Sequence, residues 1–157
     1  MLGMEFLKGQ GLGNQLFCLA SVKSLALDNG YLFGTANQKM FAQNIHNDRG
    51  MYFMDVDLGE NIEDPVDFNR YDEKEERIWI KNSYHDVTHG CYIAGADPNL
   101  FQIRDNTIIY GNLQSECYFE KHIGDFKKWF RVKKACESYK YSADDLCIMN
   151  MRGGEYV

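Results

Sequence analysis

The sequence predicts an α/β fold on a parallel sheet, and three observations carry that expectation. The chain opens with a short apolar run, a glycine-rich loop and a long apolar helix pattern, then returns to a second strand, a β-loop-α-β unit of about thirty residues. Two more buried strand patterns follow, Thr107–Tyr110, which runs into Gly111-Asn112, and residues 146–151, which run into Arg152-Gly153-Gly154. Hydrophobic residues make up 45% of 157 positions and only two prolines interrupt them, so a sizeable core is available.

Residues 4–7 read as the first strand. Residues 15–29 read as a helix whose apolar face is Leu16, Leu19, Ala20, Val22, Leu25 and Ala26, with Ser21, Ser24 and Asp28 as a narrow polar stripe. Gly30 closes that helix and residues 31–34 form the next strand. A unit of this kind implies parallel pairing, with a ligand at the carboxyl ends of the strands. The middle of the chain is less regular: residues 52–58 alternate like a half-exposed strand, residues 77–80 make another short one, and the charged run 72–77 reads as a surface helix or loop. Residues 115–130 read as a second helix, with Phe119, Ile123, Phe126 and Phe130 on one face and Gly124 weakening it.

The loop Lys8-Gly9-Gln10-Gly11-Leu12-Gly13-Asn14-Gln15 is the passage with the clearest functional signature. Its alternating glycines leave the backbone free to take positive φ and to approach a ligand closely. Asn14 stands where a helix N-cap belongs, and unpaired N–H groups at a helix start favour anions. Neither common phosphate loop fits. The sixth position of the dinucleotide fingerprint falls on Asn14 or Leu16 rather than glycine, and no Gly-Lys-Ser/Thr is present. A sugar-nucleotide site, another ligand site and a plain structural turn all remain open on spacing alone.

The net charge of -6 argues against a nucleic-acid partner, which needs a basic stripe. Acidic residues crowd Asp55 to Glu76, and Lys121, Lys127, Lys128, Arg131, Lys133 and Lys134 form a basic run; both read as solvated faces. The basic run allows at most a peripheral association with an anionic membrane surface, because Glu120 and Asp125 interrupt it. Five cysteines without a C-x-x-C pair fit reduced core thiols and a cytoplasmic location. No stretch has the form of a signal peptide or the length of a membrane span.

Arg152 is the leading candidate for a charged ligand contact. It follows the strand at residues 146–151 and adjoins Gly153 and Gly154, where a guanidinium pairs bidentately with a phosphate. Glu155 is a candidate to orient it or to act as a base, although a carboxylate in an exposed loop is usually neither. His85 and His89 are four apart but lack a third ligand, so no metal site is expected.

Three passages together resemble glycosyltransferase family 11, the alpha-1,2-fucosyltransferases. Gly11-Leu12-Gly13-Asn14-Gln15-Leu16-Phe17 is similar to the family's Gly-Gly-Leu-Gly-Asn-Gln-Met-Phe, with Gln10 in place of its first glycine. Gly111-Asn112-Leu113-Gln114-Ser115-Glu116-Cys117-Tyr118-Phe119 is similar to Gly-Tyr-x-Gln-Ser-x-x-Tyr-Phe, and Asn150-Met151-Arg152-Gly153-Gly154-Glu155-Tyr156-Val157 to His-x-Arg-Arg-Gly-Asp-Tyr-Val. Asn150, Gly153 and Glu155 depart from the last pattern, so Arg152 alone keeps its cationic role.

The resemblance implies inverting transfer of fucose from GDP-fucose to a galactose-containing glycan, without a metal or other cofactor. It further implies that Arg152 contacts the donor diphosphate, and that Gly11, Gly13, Asn14, Gln15, Gly154 and Glu155 line the donor site. No residue is implied as the catalytic base. The implied architecture is GT-B, two Rossmann-like domains facing one another. Residues 1–143 would be the N-terminal, acceptor-side domain, and residues 144–157 the first strand and arginine motif of the donor-binding domain. On that expectation the chain is a fragment and inactive alone; the alternative is a carbohydrate- or nucleotide-binding remnant without turnover.

Overall fold

The computed structural model describes residues 1–41, 54–74, 77–81 and 90–134. The elements are β1 (Leu2–Glu5), α1 (Leu12–Asp28), β2 (Phe33–Ala36), β3 (Met54–Val56), β4 (Glu60–Ile62), β5 (Asn69–Asp72), β6 (Arg77–Lys81), β7 (Gly90–Ala94), β8 (Thr107–Tyr110), α2 (Phe126–Trp129) and β9 (Phe130–Val132). Five strands form one sheet in the order β4-β2-β1-β8-β5, and every pair in it is parallel. β3 pairs with β9 and β6 with β7, both antiparallel. The α/β class and the parallel sheet agree with the expectation from sequence.

β1 lies at the centre because it is apolar on both faces. Leu2, Met4 and Phe6 point into the core shared with α1, while Gly3 on the other face lets Ile62 and Ile108 close over it. The second face carries a smaller cluster of Ala36, Ile62 and Ile108, flanked by Met1, Phe68 and Tyr110.

α1 differs from its expected form in two ways. It starts at Leu12 with Gly11 as N-cap, so Asn14 sits inside the first turn and caps nothing. Its side chains from Cys18 to Ala26 are all buried, Ser21 and Ser24 fully, so of the polar stripe only Asp28 is exposed. The reason is that α1 is enclosed on two sides, by the sheet and by the segment Leu113–Phe119. Ser21 Oγ donates to the Leu113 carbonyl at 3.0 Å. Lys23 is buried as well. Its ammonium meets Asp57 at 2.5 Å and lies 5.1 Å from the centre of the Trp129 ring. Gly30 ends the helix as expected: with φ +71 it donates to Leu27, and Tyr31 donates to Ala26, the paired bonds of a Schellman motif.

The expected helix over residues 115–130 is broken. Glu116–Tyr118 and Glu120–Asp125 are 3-10 turns, and only Phe126–Trp129 is α-helical before β9 begins. Phe119 leaves helical geometry at φ -135, ψ 2. The aromatic spacing serves a stack instead, with Phe119 5.3 Å from Phe126 and Phe126 5.3 Å from Phe130. Residues 146–151 lie outside the described residues.

Candidate functional site

From β1 the chain crosses to β2 on one side, while β8 occupies the other, so the strand order reverses between β1 and β8. In open parallel sheets the crevice at the carboxyl end of such a reversal is where ligands bind. The loop after β1 is the glycine loop, and the loop after β8 begins Gly111-Asn112-Leu113-Gln114. The topology therefore places side by side two of the three motif passages, a hundred residues apart in sequence. They touch: Gln114 Nε2 donates to Asn14 Oδ1 at 3.0 Å, and both side chains are exposed.

The glycine loop holds its shape from beneath. Gln15 is fully buried, and its amide donates to the carbonyls of Gln10 and Met40 at 3.1 and 3.3 Å. That places Gln15 behind the loop, tying it to the chain after β2, and not at the mouth of the crevice. Of the glycines, only Gly9 has positive φ, at +84; Gly11 is extended at φ -65, ψ 152, and Gly13 is helical. A Cβ added at Gly11 or Gly13 would meet none of the described residues within 4 Å. Neither backbone conformation nor packing among the described residues demands glycine at those two positions.

Cys18 lies one turn further along α1, with Sγ 3.5 Å from the carbonyls of Gly111 and Asn112. Burial pushes its thiol up to about 11, so it is an inert link between the loops, as expected of a core cysteine. Cys117, by contrast, is exposed. Arg152, Gly154 and Glu155 lie outside the described residues, as do His85 and His89. Among the described residues no group of three or more His, Cys, Asp or Glu side chains is placed to hold a metal. No helix among them is long and apolar enough to cross a membrane.

Sequence reasoning missed two polar clusters on the same rim of the sheet. In the first, Glu5 at the end of β1 accepts from Tyr110 O–H at 2.8 Å and from Asn37 Nδ2 at 2.5 Å. Burial and the adjoining carboxylate push the Tyr110 phenol up to about 12. Arg70, chelated by Asp72, stacks 4.1 Å over the Tyr110 ring. In the second, Glu73 accepts from the Leu113 N–H at 2.9 Å and from Tyr118 O–H at 2.8 Å, and the Tyr118 oxygen accepts from the N–H of Asp97 at 2.6 Å. Asp97 is fully buried. Burial pushes its carboxyl up, but donation from the Lys74 and Asn99 N–H groups and from Tyr71 outweighs this and holds it below the usual range. Glu73, half-buried, thus leaves the solvated acidic face that the charge run predicts, whereas Asp57 stays exposed while it holds Lys23. The motif Gly-x-x-Gln-Ser-x-x-Tyr held part of the signal, since a buried tyrosine needs a partner for its hydroxyl.

A recess of about 580 Å³ lies at the opposite end of β5 and β8, between Asn69, Arg70, Asn99, Gln102 and Arg104. None of the motif residues lines it.

No family model, curated protein or solved structure matches the chain.

Proposed function

We propose that this chain supplies the N-terminal part of an inverting alpha-1,2-fucosyltransferase of the GT-B type, which moves fucose from GDP-fucose to a galactoside hydroxyl. The observation that carries the reading is the meeting of the glycine loop and the Gln114 loop at the strand reversal, through the 3.0 Å bond between Gln114 and Asn14. The two glycines without a packing role support it further, because their open backbone lets a large polar ligand come close.

In this reading the acceptor hydroxyl attacks the anomeric carbon as the bond to GDP breaks, and its proton passes to a base. Charge then builds on the leaving diphosphate. Arg152 and the unpaired N–H groups at the start of α1 neutralise it, which does the work a metal ion performs in other transferases. In this reading Gly154 and Glu155, which follow Arg152 in the sequence, belong to the donor site with it.

The experiment is an assay of the full-length protein that contains this chain, with GDP-fucose and a terminal galactoside, read by mass spectrometry of the glycan, alongside its Arg152→Ala variant. Fucosylated product that falls by about a hundredfold in the variant is expected, the scale of losing one charge-stabilising group. Binding of GDP without product would favour a nucleotide-binding protein that does not turn over. An α/β domain with purely structural glycines would give neither product nor a GDP-dependent shift in melting temperature.

A further inference from the structure

Glu73 follows the carboxyl end of β5, and its N–H donates to the Tyr110 carbonyl at 2.7 Å, extending the ladder between β5 and β8 by one bond. Its side chain then turns into the loop after β8. Oε2 takes the Leu113 N–H and Oε1 the Tyr118 O–H. The same side chain fills the space beside Gly111, where an added Cβ would come within 2.5 Å of the Glu73 Cβ. Leu113 sits at φ +49, a conformation that leucine rarely adopts, with its side chain buried and its carbonyl held by Ser21. The turn Gly111-Asn112-Leu113 is thus cast around one carboxylate on one side and against α1 on the other. The next residue is Gln114, whose amide reaches Asn14.

We infer that Glu73 is the positioning residue of the crevice: by accepting from Leu113 and Tyr118 together it holds the turn that carries Gln114 onto Asn14. A carboxylate suits this task because it only accepts, and both groups facing it donate. The equivalent amide would turn an N–H₂ toward one of the two donors. Glu73 touches no ligand in this scheme; it acts through Gln114. The link to function rests on the proposal that this crevice receives the GDP part of the donor.

Two measurements on Glu73→Gln test the inference separately from that proposal. The first is hydrogen exchange of the Leu113 amide by NMR, where exchange about tenfold faster than in the parent is expected once its acceptor is lost. The second is the dissociation constant for GDP by calorimetry, where weakening of about tenfold is expected, the scale of one hydrogen bond to a charged group. The double variant Glu73→Gln/Gln114→Ala should bind GDP no more weakly than Gln114→Ala alone, since Glu73 acts through that side chain. Tyr118→Phe, which removes one of the two donors and leaves the bond to Leu113, should weaken GDP binding less than Glu73→Gln does. Unchanged exchange at Leu113, or effects of Glu73→Gln and Gln114→Ala that multiply, would overturn the assignment. Should GDP bind neither the parent nor any variant, the nucleotide proposal fails, and exchange at Leu113 with the Gln114 side-chain amide shift still decides the positioning role. If Glu73→Gln does not fold, Glu73→Asp, one methylene short of its two donors, is read in the same way.

Discussion

Around Gly111 a carboxylate side chain occupies the space that a Cβ would need, whereas around Gly11 and Gly13 no described residue comes within 4 Å of it. Both loops leave the carboxyl ends of neighbouring central strands, and both carry glycine at the turn. At Gly111 the fold explains the residue, because Glu73 must pass there to reach Leu113 and Tyr118. At Gly11 and Gly13 the described residues do not: Gly11 is the N-cap of α1, a position that Ser, Thr, Asn or Asp fills as well, and glycine within a helix, as at Gly13, is entropically unfavourable relative to alanine. A glycine with no reason among the described residues points to something beyond them that must come close to its backbone. Gly9 stands between the two cases, since its φ of +84 demands glycine while its surroundings do not.

Alanine at each position turns this contrast into numbers. Gly111→Ala should cost the most, about 1–3 kcal/mol, as expected for forcing a methyl group into a packed site. Thermal or urea unfolding measures it, and the cost should shrink when Glu73 is also replaced by alanine. A cost for the single variant near zero would mean that the turn does not close on Glu73. Gly9→Ala should come next, at about 1–2 kcal/mol, because its backbone lies in the left-handed region. That loss should be the same in the Glu73→Ala background, since the two sites share no partner.

The same contrast explains how far the sequence could be read. Thr107–Tyr110 was legible to the residue because a run of β-branched and aromatic residues is bounded by Asn106 and Gly111. β1 and β2 each lie two residues from their expected starts, since a buried parallel strand has no alternation to fix its ends. The start of α1 was misplaced because Asn14 has the chemistry of a cap, yet its oxygen is taken by Gln114, a hundred positions away. The broken segment after Ser115 misled for a related reason. Phe119, Phe126 and Phe130 have helical spacing, but they pack against one another and Tyr118 is tied down by Glu73 and Asp97, both distant in sequence. The two ends of the site were legible as motifs, and the carboxylate that joins Leu113 to Tyr118 was not, because Glu73 lies inside an acidic run that reads as solvent-facing. Periodicity and spacing register local order; none of these long-range bonds leaves a periodic trace.

The smallest expected change in stability is also the most discriminating. Gly13 is exposed, helical and free of neighbours within 4 Å of an added Cβ. Replacing it with alanine removes conformational freedom from the unfolded chain without strain in the folded one, so Gly13→Ala should stabilise the protein by about 0.4–1 kcal/mol. If the glycine serves only the fold, nothing else should change. If it lets a diphosphate reach the first N–H groups of α1, the same methyl group stands in the way, and GDP affinity should fall while the melting temperature rises. Calorimetry and a thermal melt on one preparation measure both. A variant that gains stability and binds GDP as the parent does would return the glycine loop to a structural turn; opposite signs in the two measurements would separate a residue kept for the ligand from one kept for the fold.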